Sequence, residues 1–369
     1  MARTLIFYLI VFSMSLFFFD CTSRLKRKHN GKMTNKCMLA TIFSFLPVFL
    51  LIALRDHVGA DYDEYAYTFQ SVANGELYNI YYRGKTFTYF EKILSFFIGD
   101  NYYLFFAICA FLSLWAVYYA ILSASEKPTF SYYIYFSFTL LLQLMNQFRQ
   151  GLAMAIVMVA LSFLIRKKKK IFIVFALLAA AIHPSAIVCI VIVFLGKIPI
   201  NRNVITMYFV IAGLTVAFFP LITKLLAYTK YGQTYLSWEK YNQSGLPSTL
   251  FNLAVRLIFI IIALLVKDKV IKDYQYSIYL YHMALINLVI QCCTTQLYIL
   301  GRVSTYFYLS YIFLFPIVFP YISRKFSLSY RNFLKPIVFL GFFVYFIVYY
   351  FSASGAIGSG YDIYKSLLF

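Results

Sequence analysis

The hydrophobic positions of this chain are gathered into long runs, and short polar segments, most of them basic, separate one run from the next. A helix needs about 20 apolar residues to cross the roughly 30 Å hydrocarbon core of a bilayer, and most runs come near that length. The pattern predicts an all-α, polytopic membrane protein. The runs cover residues 4–19, 38–54, 102–122, 130–145, 152–165, 171–195, 204–222, 250–266, 276–300, 303–322 and 337–351.

The basic segments predict which helix ends face the cytoplasm, because short cytoplasmic loops carry an excess of lysine and arginine. Single passes through every run cannot place all of these segments on one side. All of the basic segments can be cytoplasmic if the run 171–195 enters the membrane and turns back at His183-Pro184-Ser185. A turn is expected there because proline breaks a helix and restricts the residue before it. We therefore predict about 11–12 transmembrane helices, including a short or re-entrant hairpin around His183. The basic segments lie at residues 24–36, 166–170, 267–272 and 324–335.

We expect a single transmembrane domain over residues 1–369, with two larger excursions at 55–101 and 224–249. The second excursion carries aromatic residues at helical spacing, which predicts an amphipathic helix. One interpretation is a helix that lies in the membrane interface. The other is a platform on which sugar rings stack, with Tyr231, Tyr235 and Trp238 as the candidates.

Composition narrows the class of function. The chain is 62% hydrophobic and 12% charged, whereas soluble domains are about half apolar and a quarter charged. A net charge of +20 would suit nucleic acid, but the basic residues lie in loops between apolar runs, so we exclude nucleic-acid binding. The six cysteines lack metal-ligand spacing and predict no disulfide framework. The sequence contains no phosphate-binding loop, dinucleotide, hydrolase or zincin motif.

The position of the lysine block at 166–170 predicts on which side of the membrane the polar residues lie. Arg149 precedes Arg166 by 17 residues, or about 26 Å of helix. Arg149 should therefore lie near the outer surface if the lysine block is cytoplasmic. The same reasoning places further polar residues on that side, namely Arg55, Asp61, His183 and Arg302.

Each candidate has a chemical and a plain structural interpretation. Arg149 suits bidentate phosphate recognition, or it extends to the interface. His183 can act as a general base near neutral pH, or it is a hydrogen-bonded core residue. Asp61, within an Asp-Tyr-Asp sequence, could accept a proton or bind a metal, or it belongs to a solvated loop. Arg302 is an anion clamp or an interfacial anchor. Arg256, about two turns inside its run, needs a polar partner or a cavity at that depth.

The order of these motifs resembles the EpsG family of Wzy-type polysaccharide polymerases. The resemblance spans roughly residues 50–310, and its specificity comes from the combination of short motifs. Ala60 departs from the family, whose members often carry a small polar residue there. The motifs are Arg55 followed by Gly59-x-Asp61-Tyr62-x-x-Tyr65, Arg149-Gln150 opening a small-residue helix, an Ala-rich run ending His183-x-Ser185-Ala186, and Arg302 with Tyr306.

The resemblance implies a bacterial inner-membrane enzyme with a GT-C-like fold, periplasmic excursions and an active site that faces the periplasm. Such enzymes join undecaprenyl-diphosphate-linked oligosaccharide repeat units into O-antigen of lipopolysaccharide or a related surface polysaccharide. The partners would be the lipid-linked donor and acceptor and the bilayer, with a chain-length regulator protein as a further candidate. The alternatives are a transporter or flippase of lipid-linked oligosaccharide, and a membrane O-acyltransferase.

Displacing a lipid diphosphate needs cations at the leaving group and a base at the acceptor hydroxyl. We assign diphosphate binding to Arg149 and Arg302, assisted by Arg55. The base is His183, with Asp61 as the second choice. Because arginines can replace a metal here, we predict a metal-independent glycosyltransferase that uses no cofactor. Supporting roles are expected for Asn146, Gln150, Tyr62, Tyr65, Ser185 and Tyr306.

Overall fold

A computed structural model of the chain describes residues 1–76, 85–229, 233, 246–294, 297, 300–352 and 356–367. These residues are helical throughout, apart from turns and one isolated bridge between Arg55 and Ser366. The first half of the chain forms α1 (Ala2–Lys28), α2 (Asn35–Ala53), α3 (Tyr62–Ala73), α4 (Lys85–Ile98), α5 (Tyr102–Ala124), α6 (Pro128–Ser137), α7 (Leu140–Asn146), α8 (Phe148–Ile165) and α9 (Lys169–Ile182).

The second half begins with a 3-10 helix, Pro184–Val191, and continues in a further series of α-helices. These are α10 (Ile192–Leu195), α11 (Arg202–Ala217), α12 (Phe219–Ala227), α13 (Leu246–Leu264), α14 (Lys267–Asp273), α15 (Ser277–Thr294), α16 (Gly301–Tyr308), α17 (Ser310–Ser323), α18 (Leu328–Tyr350) and α19 (Ala356–Ser359).

The predicted all-α, polytopic membrane architecture is confirmed. Among the described residues, seven helices are long and apolar enough to cross a membrane. Two bent pairs raise that number to as many as nine: α11 with α12 at 70°, and α16 with α17 at 41°. The remaining apolar segments are shorter, and the hairpin around His183 is among them.

The basic loops gather at one end of the bundle, which we call the basic end. Lys26 Nζ donates to the Leu122 carbonyl at 2.7 Å, and Lys325 Nζ donates to the Leu265 carbonyl at 3.2 Å. Both pairs join the ends of helices that the charge pattern predicts to lie on the same side. The opposite end, which we call the far end, holds the starts of α8 and α16 and the turn at His183.

The predicted break at His183 is present. Helix α9 ends at Ile182, and His183 takes extended dihedral angles, with φ −136° and ψ 111°. Pro184 then opens the 3-10 helix. Proline disfavours the helical region for the residue before it, which explains why the helix stops at this point. Helix α9 has 14 residues, or about 21 Å, so the hairpin is shorter than a full crossing.

Helix α8 is the central helix of the bundle, since 89% of its apolar, membrane-spanning stretch is buried inside the protein. Small residues allow close packing: a Cβ added at Gly151 would meet Leu144 Cδ2 at 2.6 Å. Buried residues continue on every face of the helix. Its first turn, which carries Arg149 and Gln150, is therefore held rigidly at the far end.

The C-terminal segment 356–367 packs on the loop that follows α2. The Gly59 N–H donates to the Gly360 carbonyl at 2.6 Å, and the Ala60 N–H donates to the Ser359 carbonyl at 3.0 Å. Gly59 has φ +106°, and a Cβ there would lie 2.1 Å from the Met145 carbonyl oxygen. Only glycine, which has no Cβ, fits at this position. The close approach lets the loop pack against the end of α7.

Candidate functional site

Arg149 links the first turn of α8 to the hairpin tip. Its Nε donates to the Ile182 carbonyl at 2.6 Å, and its guanidinium carbon lies 5.1 Å from the centroid of the Phe87 ring. The side chain is 9% exposed. The contact places a buried cation beside the residue that precedes His183.

His183 belongs to a cluster with two hydroxyl groups. Its Nδ1 lies 2.7 Å from Ser185 Oγ and 3.1 Å from the Tyr306 hydroxyl. Ser185 Oγ in turn donates to the Tyr306 hydroxyl at 3.4 Å. Both contacts of the imidazole use the same ring nitrogen, so the two hydroxyl groups orient His183 through Nδ1.

The electrostatic surroundings favour a neutral His183. The residue sits at the turn of the hairpin, between α9 and the 3-10 helix. Burial, and after it the positive charges of Arg149 and Arg302, lower the pKa of His183 from 6.5 to about 3. The imidazole is therefore unprotonated at neutral pH, as a proton acceptor must be.

Gln150 connects α8 to α16. Its Nε2 donates to the Arg302 carbonyl at 2.7 Å, and the residue is 3% exposed. Arg302 and Tyr306 are four residues apart on α16, so they share one face of that helix. The structure thus brings together the starts of α8 and α16 and the hairpin tip, three segments far apart in the sequence.

The loop before α3 reaches the same end of the bundle. Asn146 Oδ1 accepts a hydrogen bond from the Asp61 N–H at 3.2 Å. The Tyr65 ring lies 5.7 Å from the ring of Phe148, at the start of α8. Asp61 therefore neighbours the start of α8, on the same end as His183.

Arg55 is enclosed at the start of the loop that follows α2, and its assistance in diphosphate binding stays a prediction. It is 1% exposed, and its Nη1 and Nε donate to the carbonyls of Ile52 and Val58. Its guanidinium carbon lies 4.7 Å from the centroid of the Phe106 ring and 5.4 Å from that of Tyr62. Burial lowers the pKa of Arg55 to about 10, so the side chain remains protonated. These contacts make Arg55 and Tyr62 an anchor for the loop that carries Asp61.

A polar cavity of about 80 Å³ adjoins Arg302 inside the bundle. The sequence predicts a polar partner or a cavity for Arg256 but assigns neither Arg256 nor the amides of Gln143 and Asn252 to the site. The sequence feature that Gln143, Asn252, Arg256 and Gln291 share is a polar side chain within an apolar run. The lining residues include Gln143, Gln147, Asn252, Arg256, Gln291 and Arg302.

Two further expectations concern metal and sugar contacts. Among the described residues, no group of three or more His, Cys, Asp or Glu side chains could hold a metal ion. Asp63, in the Asp-Tyr-Asp sequence, pairs with His57 Nδ1. Metal independence stays a prediction.

The proposed stacking residues Tyr231, Tyr235 and Trp238 lie outside the described residues.

Comparison with known proteins gives one family. The model of the EpsG family matches residues 38–365, which include every candidate side chain described above. Neither the curated proteins nor the solved structures yielded a match.

Proposed function

The chain belongs to the EpsG family, and we propose that it polymerises a surface polysaccharide by joining lipid-linked repeat units. The family is one of Wzy-like polysaccharide polymerases, so the chain is a polysaccharide polymerase-like membrane protein. The proposal adds the substrate: an oligosaccharide repeat unit carried on undecaprenyl diphosphate. The product would be O-antigen or a related polysaccharide.

The observation that carries the proposal is the junction of three segments at the far end. Arg149 bonds to the Ile182 carbonyl, Gln150 bonds to the Arg302 carbonyl, and His183 contacts the Tyr306 hydroxyl. This junction gathers the buried Arg149, the partly buried Arg302 and an unprotonated imidazole. Transfer from a diphosphate carrier needs both kinds of group.

The proposed reaction is a substitution at the anomeric carbon of the donor. The acceptor hydroxyl forms a new glycosidic C–O bond while the bond from that carbon to the diphosphate oxygen breaks. The lipid diphosphate leaves with the bonding electron pair, and the hydroxyl proton passes to His183. Arg149 and Arg302 stabilise the charge on the departing diphosphate, a task for which planar guanidinium groups are suited.

The base role requires one tautomer of His183. If Nδ1–H donates to Ser185 Oγ, which itself donates to the Tyr306 hydroxyl, Nε2 is left unprotonated and can accept the proton. Asp61 is the alternative base, because it neighbours the start of α8 through Asn146.

The charge pattern supports an orientation for this reaction. Lysine- and arginine-rich loops stay in the cytoplasm, so the basic end would be cytoplasmic and the far end periplasmic. We therefore propose the bacterial inner membrane as the location and a periplasmic site, at which a chain-length regulator protein could also dock.

The test is a reconstitution with purified protein and undecaprenyl-diphosphate-linked repeat units. We expect a ladder of glycans lengthened by whole repeat units, with no requirement for divalent metal. A translocated but unlengthened substrate would indicate a flippase, and an acylated sugar an O-acyltransferase; either result would overturn the proposal. Loss of the ladder on chelation, with recovery on addition of metal, would overturn metal independence alone.

A further inference from the structure

The polar cavity lies between the far end and the middle of the bundle. Its walls come from the break between α6 and α7 and from α13, α15, α16 and α18. Arg302, at the start of α16, lines one side, and Arg256, in the middle of α13, lines another. Arg256 stands ten residues after Leu246, the first residue of α13, or about 15 Å along the helix.

Arg256 is incompletely satisfied by the protein. Its Nη1 donates to Ser304 Oγ at a long 3.4 Å, and its guanidinium carbon lies 4.5 Å from the centroid of the Tyr308 ring. Its Nε is buried and has no hydrogen-bond partner within the described part of the chain. A charged group at such a depth in a membrane protein is costly unless something pairs with it.

The described residues that line the cavity include arginines and amides but no aspartate or glutamate. Gln143 Oε1 is a second buried atom without a hydrogen-bond partner among the described residues. The oxygen and nitrogen of an amide are exchanged by a simple flip, so Gln143 can present N–H donors to the cavity instead. Positive charge and available donors converge on one space, which is the chemistry of an anion site.

The size of the cavity limits the anion. A cavity needs roughly 10–15 Å³ to hold one water, so a volume of about 80 Å³ has room for several waters or for a phosphate-sized group. A whole oligosaccharide repeat unit does not fit. The planar guanidinium of Arg256 matches the oxygens of a phosphate group in geometry as well as in charge.

We propose that Arg256 and Gln143 form a second anion subsite that binds one phosphate group of the diphosphate on one lipid-linked substrate, while Arg149 serves the diphosphate of the other and Arg302 is shared between the two. The proposal rests on the proposed function, because that reaction brings together two substrates that each carry a diphosphate. Arg302 lies between the two positions: it lines the cavity, and its charge acts on His183. Both diphosphates would then flank the group that takes the proton.

The chain offers a matched control for Arg256. Arg166, at the basic end, also contacts a serine hydroxyl, with Nη2 3.1 Å from Ser162 Oγ, and an aromatic ring, with its guanidinium carbon 4.5 Å from the centroid of the Phe163 ring. Arg166 further bonds to the Ser162 carbonyl and the Tyr119 hydroxyl. It has similar surroundings but does not line the cavity.

The experiment is calorimetric titration of the purified protein in detergent with farnesyl diphosphate. We expect two binding sites per chain for the wild type and for Arg166→Gln, and one for Arg256→Gln. Arg256→Lys, which keeps the charge without the planar fork, should retain the site with affinity weakened by about tenfold or more. If Arg256→Gln does not fold, the lysine variant decides.

Two results would overturn the subsite. One is an unchanged stoichiometry and affinity in both Arg256 variants. The other is a wild type that binds only one farnesyl diphosphate and that, in a separate titration, binds glucuronate in a way that Arg256→Gln abolishes. That result would indicate recognition of an acidic sugar at Arg256. The glycan ladder is scored separately. Two diphosphate sites without a ladder would refute the proposed function alone, and a ladder with one site would refute the subsite alone.

Discussion

Two histidines, one at each end of the bundle, both contact a tyrosine hydroxyl through Nδ1 but differ in how the second ring nitrogen is used. At the basic end, His282 Nδ1 lies 2.9 Å from the Tyr208 hydroxyl, and its Nε2 donates to the Ile198 carbonyl at 2.9 Å. At the far end, His183 makes both of its hydroxyl contacts through Nδ1. Both nitrogens of His282 are occupied by the fold, whereas His183 is oriented by one nitrogen and can use the other for chemistry.

The arginines repeat this contrast. Arg166 at the basic end bonds to a backbone carbonyl and to two hydroxyl groups. Arg256, towards the far end, has one long hydrogen bond and a buried Nε without a partner among the described residues. Under the proposed function, His282 and Arg166 at the basic end complete the structure, whereas His183 and Arg256 are arranged for a ligand.

The largest expected effect separates the two histidines. His183→Ala should lower kcat by about 10²–10⁴-fold, the usual contribution of a general base. His282→Ala should lower thermal stability while kcat per folded molecule stays close to wild type. Polymerisation rates and unfolding temperatures measured on the same preparations check the pair. Near-normal kcat in His183→Ala would transfer the base role to Asp61.

A second comparison concerns two glycines with positive φ. Gly59→Ala would force a Cβ against the Met145 carbonyl oxygen and displace the loop that carries Asp61, and misplacement on this scale costs up to about 10²-fold in rate. Gly75→Ala, at φ +80° with nothing within 4 Å of the new Cβ, adds roughly 1–2 kcal/mol of backbone strain and no clash. We expect the Gly59 variant to lose activity and the Gly75 variant to keep it. Equal activities would show that the loop position is unimportant.

A smaller effect is expected for the tyrosines. Tyr306→Phe removes the hydroxyl that contacts His183 Nδ1, and a neutral hydrogen bond contributes about 0.5–1.5 kcal/mol, or roughly 2–13-fold in rate. Tyr208→Phe removes the corresponding hydroxyl from His282 and should leave the rate unchanged. A slower rate in Tyr208→Phe than in Tyr306→Phe would reverse the contrast between the two ends.

The pH profile should show no effect of His183 protonation. The pKa of His183 lies below its ordinary value because of burial and the positive charges of Arg149 and Arg302. The neutral form, which is the base, therefore persists as the pH falls. We expect kcat/KM, which reports the free enzyme, to stay level from about pH 8 to about pH 5. A decline with an apparent pKa near the ordinary value of 6.5 would contradict this environment.

The helices and the break at His183 could be predicted because their causes are local: long apolar runs, basic loops and a proline. The shared location of Arg149, His183 and Arg302 followed from helix length measured against the lysine block. The surroundings of Arg55 could not be predicted in this way. Its aromatic neighbours include Phe106 and Phe148, which are distant in sequence.

Two other features depend on tertiary packing. The depth of Arg256 indicated a polar partner or a cavity, but the amides of Gln143, Asn252 and Gln291 come from three different helices. The C-terminal segment gave no signal in the sequence, although its backbone holds the loop that begins at Arg55. Local patterns predict which residues reach the far end, whereas tertiary packing determines which of them line the cavity.

The most direct measurement of the central claim compares Arg149→Ala with Arg166→Ala in the same reconstituted polymerisation assay. The account predicts that Arg149→Ala loses the glycan ladder, with a rate at least about 10²-fold lower because stabilisation of the leaving diphosphate is lost. Arg166→Ala should produce the ladder at close to the wild-type rate per folded molecule. A full ladder from folded Arg149→Ala would contradict the account.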